Sequence, residues 1–208
     1  GEINLKKNKG KYLNPYQWNK LLKDKNIKLI DVRNQFEIEI GKFKSAINPN
    51  TKSFREFPEN FNKLRLDKNS KIAMYCTGGI RCEKASAYLK SNGYKEVYQL
   101  DGGVLNYLEK FGNKRGELSW IGELFVFDNR VTVNSKLAKG NYLQCYGCRR
   151  PITKKDTKSQ FYKKGVSCSY CYSERSYIQK RRSSVRQAQI DKSENKMENH
   201  PFKKILLR

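Results

Sequence analysis

Three short apolar runs punctuate the first half of the chain, each set between segments of helical periodicity. IKLIDV (27–32) is apolar and β-branched and is flanked by charged residues, which predicts a buried strand. KIAMYC (71–76) and EVYQL (96–100) repeat the pattern. Asn14-Pro15 opens a helix over YQWNKLLKD, with Pro15 suited to a first turn and Trp18, Leu21 and Leu22 on one face. Residues 34–41 form a helical turn that stops at Gly41. FKSAINPN then leads the chain back toward the sheet, and FREFPENFNKL reads as loop plus helix. Arg81 to Asn92 is a longer helix with Ala85, Tyr88 and Leu89 inward and Gly93 as its C-cap. Gly102-Gly103 makes a turn into a helix over VLNYLEKFG. Strand, helix and strand at this spacing is a βαβ unit, so the fold class is α/β with a parallel sheet flanked by helices.

After Gly112 the pattern changes. WIGELFVFDNRVTV alternates and predicts a hairpin through Asp128-Asn129, with Asp128 and Arg130 as an ion pair. Two CxxC pairs follow. From Arg175 the chain is basic and polar, and is either a solvated helix or a disordered tail. The expected organisation is an α/β domain over 11–115, a strand pair and four-cysteine module over 116–174, and a basic tail over 175–208. The chain opens on Gly1 rather than Met. Residues 1–10 are read as a linker or the remnant of a missing N-terminal domain.

Charge narrows the partners. Lys and Arg number 44 against 20 Asp and Glu, for a net charge of +24. A polyanion is the expected partner, nucleic acid before anionic membrane. No apolar run approaches the ~20 residues of a membrane helix, and no N-terminal apolar leader is visible. Six cysteines, four of them in CxxC pairs, suit a reducing compartment, and the protein is read as cytoplasmic.

Cys76 stands at the C-terminal end of a buried parallel strand, where ligand loops of such sheets lie. The following stretch is TGGIRC (77–82). A cysteine reacts as the thiolate, so something must hold a negative charge. The chain has a single histidine, His200, in the basic tail, which argues against a Cys-His pair. Backbone amides of Thr77, Gly78, Gly79 and Ile80, the helix N-terminus and the Arg81 cation are the alternatives. Cys82 is either a resolving thiol for an oxidised Cys76 or a small residue packed in the first helical turn.

These phrases resemble a rhodanese domain over about 11–112. IDVRN matches its Asp-x-Arg, and GKFKSAINPN its Gly-His-Ile-x-Gly-Ala-x-Asn segment, with Lys42 where histidine is usual. YCTGGIR matches its cysteine loop and LDGGVLNY its Gly-Gly turn. The resemblance implies that Cys76 carries a persulfide and that Arg81 stabilises it or an oxyanion. Asp31 and Arg33 are expected to brace the loop. Related phosphatases hold a loop one residue longer between cysteine and arginine than the four residues here (77–80), so sulfur chemistry is favoured over phosphate hydrolysis.

The second half narrows the resemblance. NPNTKSFREFPE, YCTGGIRCEKAS, GELFVFDNRVTV and the paired CxxC motifs are similar to the bacterial-type tRNA uridine(34) hydroxylases, which are rhodanese-domain proteins with a further N-terminal domain. That resemblance implies oxygen-dependent conversion of the wobble uridine of tRNA to 5-hydroxyuridine, with O2 as co-substrate and Cys76 essential. No nucleotide-cofactor motif is evident. A plain sulfurtransferase and a non-catalytic RNA-binding module are the alternatives. Arg55, Arg149 and Arg150 are candidate contacts to the anticodon region, the last two beside Tyr142 and Tyr146; Tyr170, Tyr172, Arg175 and Tyr177 repeat the aromatic-basic mixture.

Cys145-x2-Cys148 and Cys168-x2-Cys171, with nineteen residues (149–167) between the pairs, suit a four-thiolate structural zinc site. Redox thiol pairs and an iron–sulfur cluster are the alternatives.

Overall fold

A computed structural model describes residues 9–114 and 116–195. Residues 1–8 of the expected linker and 196–208 of the expected tail, with His200, lie outside the described residues. The chain divides into two units, Gly1–Val126 with Val133–Lys139, and Phe127–Thr132 with Gly140–Arg208.

In chain order the first unit runs β1 (Lys11–Leu13), α1 (Pro15–Leu21), β2 (Lys28–Asp31), α2 (Gln35–Ile40), β3 (Gly41–Phe43), α3 (Phe57–Asn62), β4 (Lys71–Tyr75), α4 (Ile80–Ser91), β5 (Glu96–Leu100), α5 (Gly103–Phe111), β6 (Trp120–Gly122) and β7 (Leu124–Phe125). The central sheet has the order β1-β5-β4-β2 and is parallel throughout. Local chemistry sets its helices. Asn14 Oδ1 accepts from the Gln17 amide at 2.9 Å, and Gln17 Oε1 accepts from the Asn14 amide at 3.0 Å. This reciprocal cap, with Pro15 in the first turn, starts α1.

The pleat of β4 sorts the core. Ala73 and Tyr75 enter one cluster with Trp18, Leu29, Phe43 and Tyr107. Ile72, Met74 and Cys76 enter the other with Ile30, Val32, Phe57 and Phe61. Phe43 is the hub of the first cluster, with ring centroids 4.8 Å from Tyr75, 4.7 Å from Tyr107 and 5.3 Å from Trp120. Each such edge contact adds about 0.5–1.5 kcal/mol beyond burial. Gly10 is buried, its amide donates to Ser86 Oγ at 3.1 Å, and its carbonyl accepts from Gln99 Nε2 at 2.9 Å. Lys11–Leu13 then extends the sheet edge; three residues are too few to show an alternating pattern.

The alternating run after Gly112 divides its pairing. β6 pairs antiparallel with β3, Trp120 opposite Phe43, while β7 and β8 (Thr132–Val133), two residues each, pair with one another on either side of Asp128-Asn129, where the hairpin was expected. Gly122, at φ +85°, is the break: a Cβ there would lie 2.3 Å from the Ile40 carbonyl oxygen. The expected Asp128–Arg130 pair is present, with N···O 2.6 Å.

In the second unit β9 (Leu143–Gln144) and β10 (Pro151–Ile152) form an antiparallel hairpin around Cys145 and Cys148. The segment after Arg175 is a helix, α6 (Tyr177–Asn195). Its docked face is polar: Ser183 and Gln187 are buried. The Arg175 guanidinium donates to the Gly147 carbonyl, to Ser183 Oγ at 2.7 Å and to the Gln179 carbonyl at 3.2 Å. Among the described residues no helix is long and apolar enough to cross a membrane.

Candidate active site

Two buried ion pairs hold the cysteine loop. At the C-terminal end of β2, Asp31 Oδ2 and Oδ1 accept from Arg33 Nη2 at 2.6 Å and Nε at 2.9 Å, and both residues are fully buried. The same guanidinium donates to the Glu37 carbonyl at 3.2 Å and the Gly41 carbonyl at 2.6 Å, and lies 4.9 Å from the Trp120 ring. Asp31 and Arg33 therefore brace α2 and β3. α2 in turn presents Glu37, fully buried, to the loop. Glu37 accepts from Arg81 Nη1 at 2.6 Å and Nη2 at 2.8 Å, and from Thr77 Oγ1 at 3.3 Å.

Glu37 is the residue that the sequence reading missed. The EIEI alternation offers Glu37 and Glu39 equally, and the signal that separates them is the capping-box spacing Asn34-x-x-Glu37: Glu37 Oε2 accepts from the Asn34 amide at 3.0 Å, and Glu37 is buried while Glu39 is exposed. Glu37 also fixes the place of Arg81. A guanidinium held at two points by a buried carboxylate is a positioning group for the loop, and it acts on the sulfur through its charge.

The loop closes on Cys76. The Gly79 amide donates to Cys76 Sγ at 3.1 Å, with Gly79 at φ +93°. The Cys76 thiol is lowered to about 6. The largest cause is a hydrogen bond from Cys82, opposed by burial and supported by the Arg81 charge and the Cys82 and Arg81 amides. Burial pushes the Cys82 thiol well above its ordinary value, so it remains a donor to the Cys76 thiolate. Both cysteines are free thiols. Cys82 is packed, fully buried, in the first turn of α4 and faces the reactive sulfur. Thr77 is buried, whereas Gly78 and Ile80 are exposed.

Gly103 seals the other side. The Cys76 and Thr77 carbonyls accept from the Val104 and Leu105 amides at 3.0 and 3.1 Å. A Cβ on Gly103, at φ +65°, would lie 2.6 Å from both carbonyl oxygens. Phe57 belongs to the core cluster of Cys76 and Phe54 packs against that cluster. Arg55 stands exposed between them.

A reactive-cysteine loop at the C-end of a parallel strand, between a buried Asp-x-Arg and a Gly-Gly turn, is a recognisable assembly. The family model for the rhodanese-like domain matches residues 14–110. Residues 14–110 have the rhodanese-like α/β fold. The match covers just under half of the chain. Among solved structures, the chain is similar to a rhodanese-related protein of Thermoplasma volcanium, at 24% identity over 49% of this chain and 93% of that one, TM-score 0.42. It is also similar to a rhodanese-like domain protein of Staphylococcus aureus, at 28% identity over 47% and 90%, TM-score 0.40. A rhodanese-like domain from Anabaena gives 18% identity over 53% and 78%, TM-score 0.42. The rhodanese-like domain has the predicted α/β architecture, and it supports sulfurtransferase or related chemistry in general.

The second unit gathers the other four cysteines. Their sulfurs all lie within 4.8 Å of one another. Cys145 and Cys171 are 4.0 Å apart, Cys148 and Cys168 3.9 Å, and Cys168 and Cys171 3.8 Å. Four thiolates at zinc bond lengths around a tetrahedral centre sit about 3.8 Å apart, so the donor set fits a structural zinc with all four positions filled. The hydrogen bond with Cys148 lowers the Cys145 thiol to about 5 and raises Cys148, and burial lifts Cys168 to about 11. A shared cation relieves that competition for protons.

Of the aromatic and basic residues beside these cysteines, Arg149 is exposed, its guanidinium 5.7 Å from the Tyr146 ring. Arg150 is engaged instead with Glu174 and the Tyr170 carbonyl, both N···O 3.3 Å. Arg175 is committed to the docking of α6.

Proposed function

We propose that this protein hydroxylates C5 of the wobble uridine of tRNA, with Cys76 as the essential thiol. The observation that carries the reading is the pairing, in one chain of net charge +24, of a thiolate-stabilising rhodanese-like loop with a four-thiolate centre in a second unit. The likeness of NPNTKSFREFPE and YCTGGIRCEKAS to the tRNA uridine(34) hydroxylases supplies the reaction. In net terms one oxygen atom of O2 replaces hydrogen at C5 as hydroxyl. The other leaves as water, with two electrons and two protons from an external reductant.

The chain's own residues have separate tasks in this reading. Cys82, the Gly79 amide and the Arg81 charge hold Cys76 as an anion, thiolate or persulfide. Glu37 and Thr77 hold Arg81. Zinc, on Cys145, Cys148, Cys168 and Cys171, crosslinks a unit with few buried apolar residues and takes no part in the chemistry. The work is done in the cytoplasm, where thiols stay reduced.

The thiolate itself favours a second reading, sulfur transfer. Cys76 would attack the outer sulfur of thiosulfate, breaking its S–S bond, releasing sulfite and leaving the persulfide. Nucleoside mass spectrometry separates the readings, on tRNA from cells lacking the gene and complemented with wild type or Cys76→Ser. Loss of 5-hydroxyuridine restored only by wild type supports hydroxylation. An unchanged level, with thiosulfate turnover by the pure protein in the absence of RNA, supports sulfur transfer. Full function of Cys76→Ser would reduce the protein to an RNA-binding module.

A further inference from the structure

The second unit carries a surface that the chemistry at Cys76 does not use. Three of its acids are locally neutralised: Asp128 pairs with Arg130, Glu174 with Arg150 and Asp191 with Lys164. Its remaining cations stand without that compensation. On α6 the docked face consists of Ser183 and Gln187, with Arg186 donating to the Tyr146 and Gly165 carbonyls. Arg181 and Arg182 are exposed and have no ion-pair partner among the described residues.

Aromatic rings stand beside these cations. Tyr172, 43% exposed, follows the second cysteine pair; Lys180 Nζ lies 3.8 Å from its ring centroid and the Phe161 ring 5.0 Å away. Tyr146, 55% exposed, lies inside the first pair with the Arg149 guanidinium beside it. Each of the two cysteine pairs thus presents one aromatic–cation couple.

We propose that the Tyr172–Lys180 and Tyr146–Arg149 couples are stacking positions for unpaired RNA bases, and that Arg181 and Arg182 on α6 take the neighbouring phosphates. Aromatic faces accept any unstacked base, and cations beside them bind the backbone that carries it. A duplex offers phosphates but no free base faces, so the surface selects a loop. The helix is poorly suited to lying in a membrane: beyond Tyr177, Ile178, Val185 and the small Ala188, the exposed side chains described on it are polar or basic. The inference rests on the tRNA reading for the identity of the loop.

The test uses the full zinc-loaded chain and fluorescence anisotropy with unmodified RNA. The probes are a labelled hairpin with a single-stranded loop and a blunt duplex of equal phosphate number. Tyr172→Ala and Tyr146→Ala are each expected to weaken hairpin binding roughly tenfold and leave duplex binding unchanged, with Tyr172→Trp restoring it. The double variant Arg181→Ala with Arg182→Ala is expected to weaken both RNAs and to lower the salt slope by about 1–2. Zinc content and circular dichroism at wild-type values confirm that each variant is folded. The arginine variants, on an exposed helix face, give a second route if a tyrosine variant does not fold. Hairpin affinity indifferent to both tyrosines, or equal binding of hairpin and duplex, overturns the stacking surface. Tighter, arginine-dependent binding to phosphatidylserine vesicles than to RNA would also overturn it. The assay involves no turnover. Normal 5-hydroxyuridine with Tyr146→Ala and Tyr172→Ala in place would count against the surface alone. Tyrosine-dependent loop binding without any change in 5-hydroxyuridine on gene loss would count against the hydroxylase alone.

Discussion

Arg81 and Glu37 form a two-point ion pair across 44 residues of chain, Nη1 to Oε2 at 2.6 Å and Nη2 to Oε1 at 2.8 Å. The acid is fully buried and the arginine side chain 17% exposed. The pair joins the first turn of α4, which follows the reactive cysteine, to α2. The loop's shape is thus tied to the same helix that Asp31 and Arg33 brace from below.

Breaking this pair from one side leaves a buried charge unmatched. Glu37→Gln is expected to destabilise the protein by about 3 kcal/mol in urea denaturation. Replacing both partners, Glu37→Leu with Arg81→Met, should be less harmful than the sum of the single changes. Strict additivity would show that the two side chains do not act as a unit.

Cys82 is the first cause of the low Cys76 thiol, so its removal has a signed effect. Cys82→Ala should raise the Cys76 midpoint from about 6 toward the ordinary value near 9. The thiolate absorbance at 240 nm, taken as the difference from Cys76→Ser across pH, reads it directly. A midpoint that does not move would assign the shift to the amides and Arg81 instead.

The same depressed thiol ties stability to pH. The folded state releases the Cys76 proton near 6 and the unfolded chain near 9, so between these values the unfolded state binds more protons. The stabilisation is complete above about 9 and is lost as pH falls through about 6. The stability difference between wild type and Cys76→Ala should therefore grow from pH 6 to pH 9. A flat difference would mean that the thiol is not depressed in the folded protein.

Two glycines of the loop region should behave oppositely. Gly103→Ala puts a Cβ against the Cys76 and Thr77 carbonyls at a positive φ, and is expected to destabilise by more than about 2 kcal/mol. Nothing lies within 4 Å of a Cβ on Gly78, whose φ is not positive, so Gly78→Ala should fall within about 0.5 kcal/mol of wild type. Thermal melts of the two variants make the comparison.

Zinc content tests the four-thiol centre. Elemental analysis is expected to give about one zinc per chain, and Cys168→Ser should lose it along with protection of residues 140–195 from trypsin. Wild type purified under reducing conditions without zinc, yet protected, would remove the metal from the account.

The sequence by itself determined the parallel sheet, the position of Cys76 at a strand end, the Gly-Gly turns and the four metal-spaced thiols. These are local matters: the pleat fixes which residues share a face, glycine marks positions a Cβ would block, and CxxC brings two sulfurs to one turn. It left open whether the chain after Arg175 is helix or tail. It also gave Arg150 to substrate on the strength of residue type alone. Only the tertiary structure decided that Glu37 rather than Glu39 is buried, that Arg81 is held by it, and that Arg150 and Arg175 are spent on Glu174 and on docking α6. A guanidinium binds whichever carboxylate or carbonyl the fold brings within reach. In this chain those partners lie 44 residues from Arg81 and 24 from Arg150, beyond any local pattern.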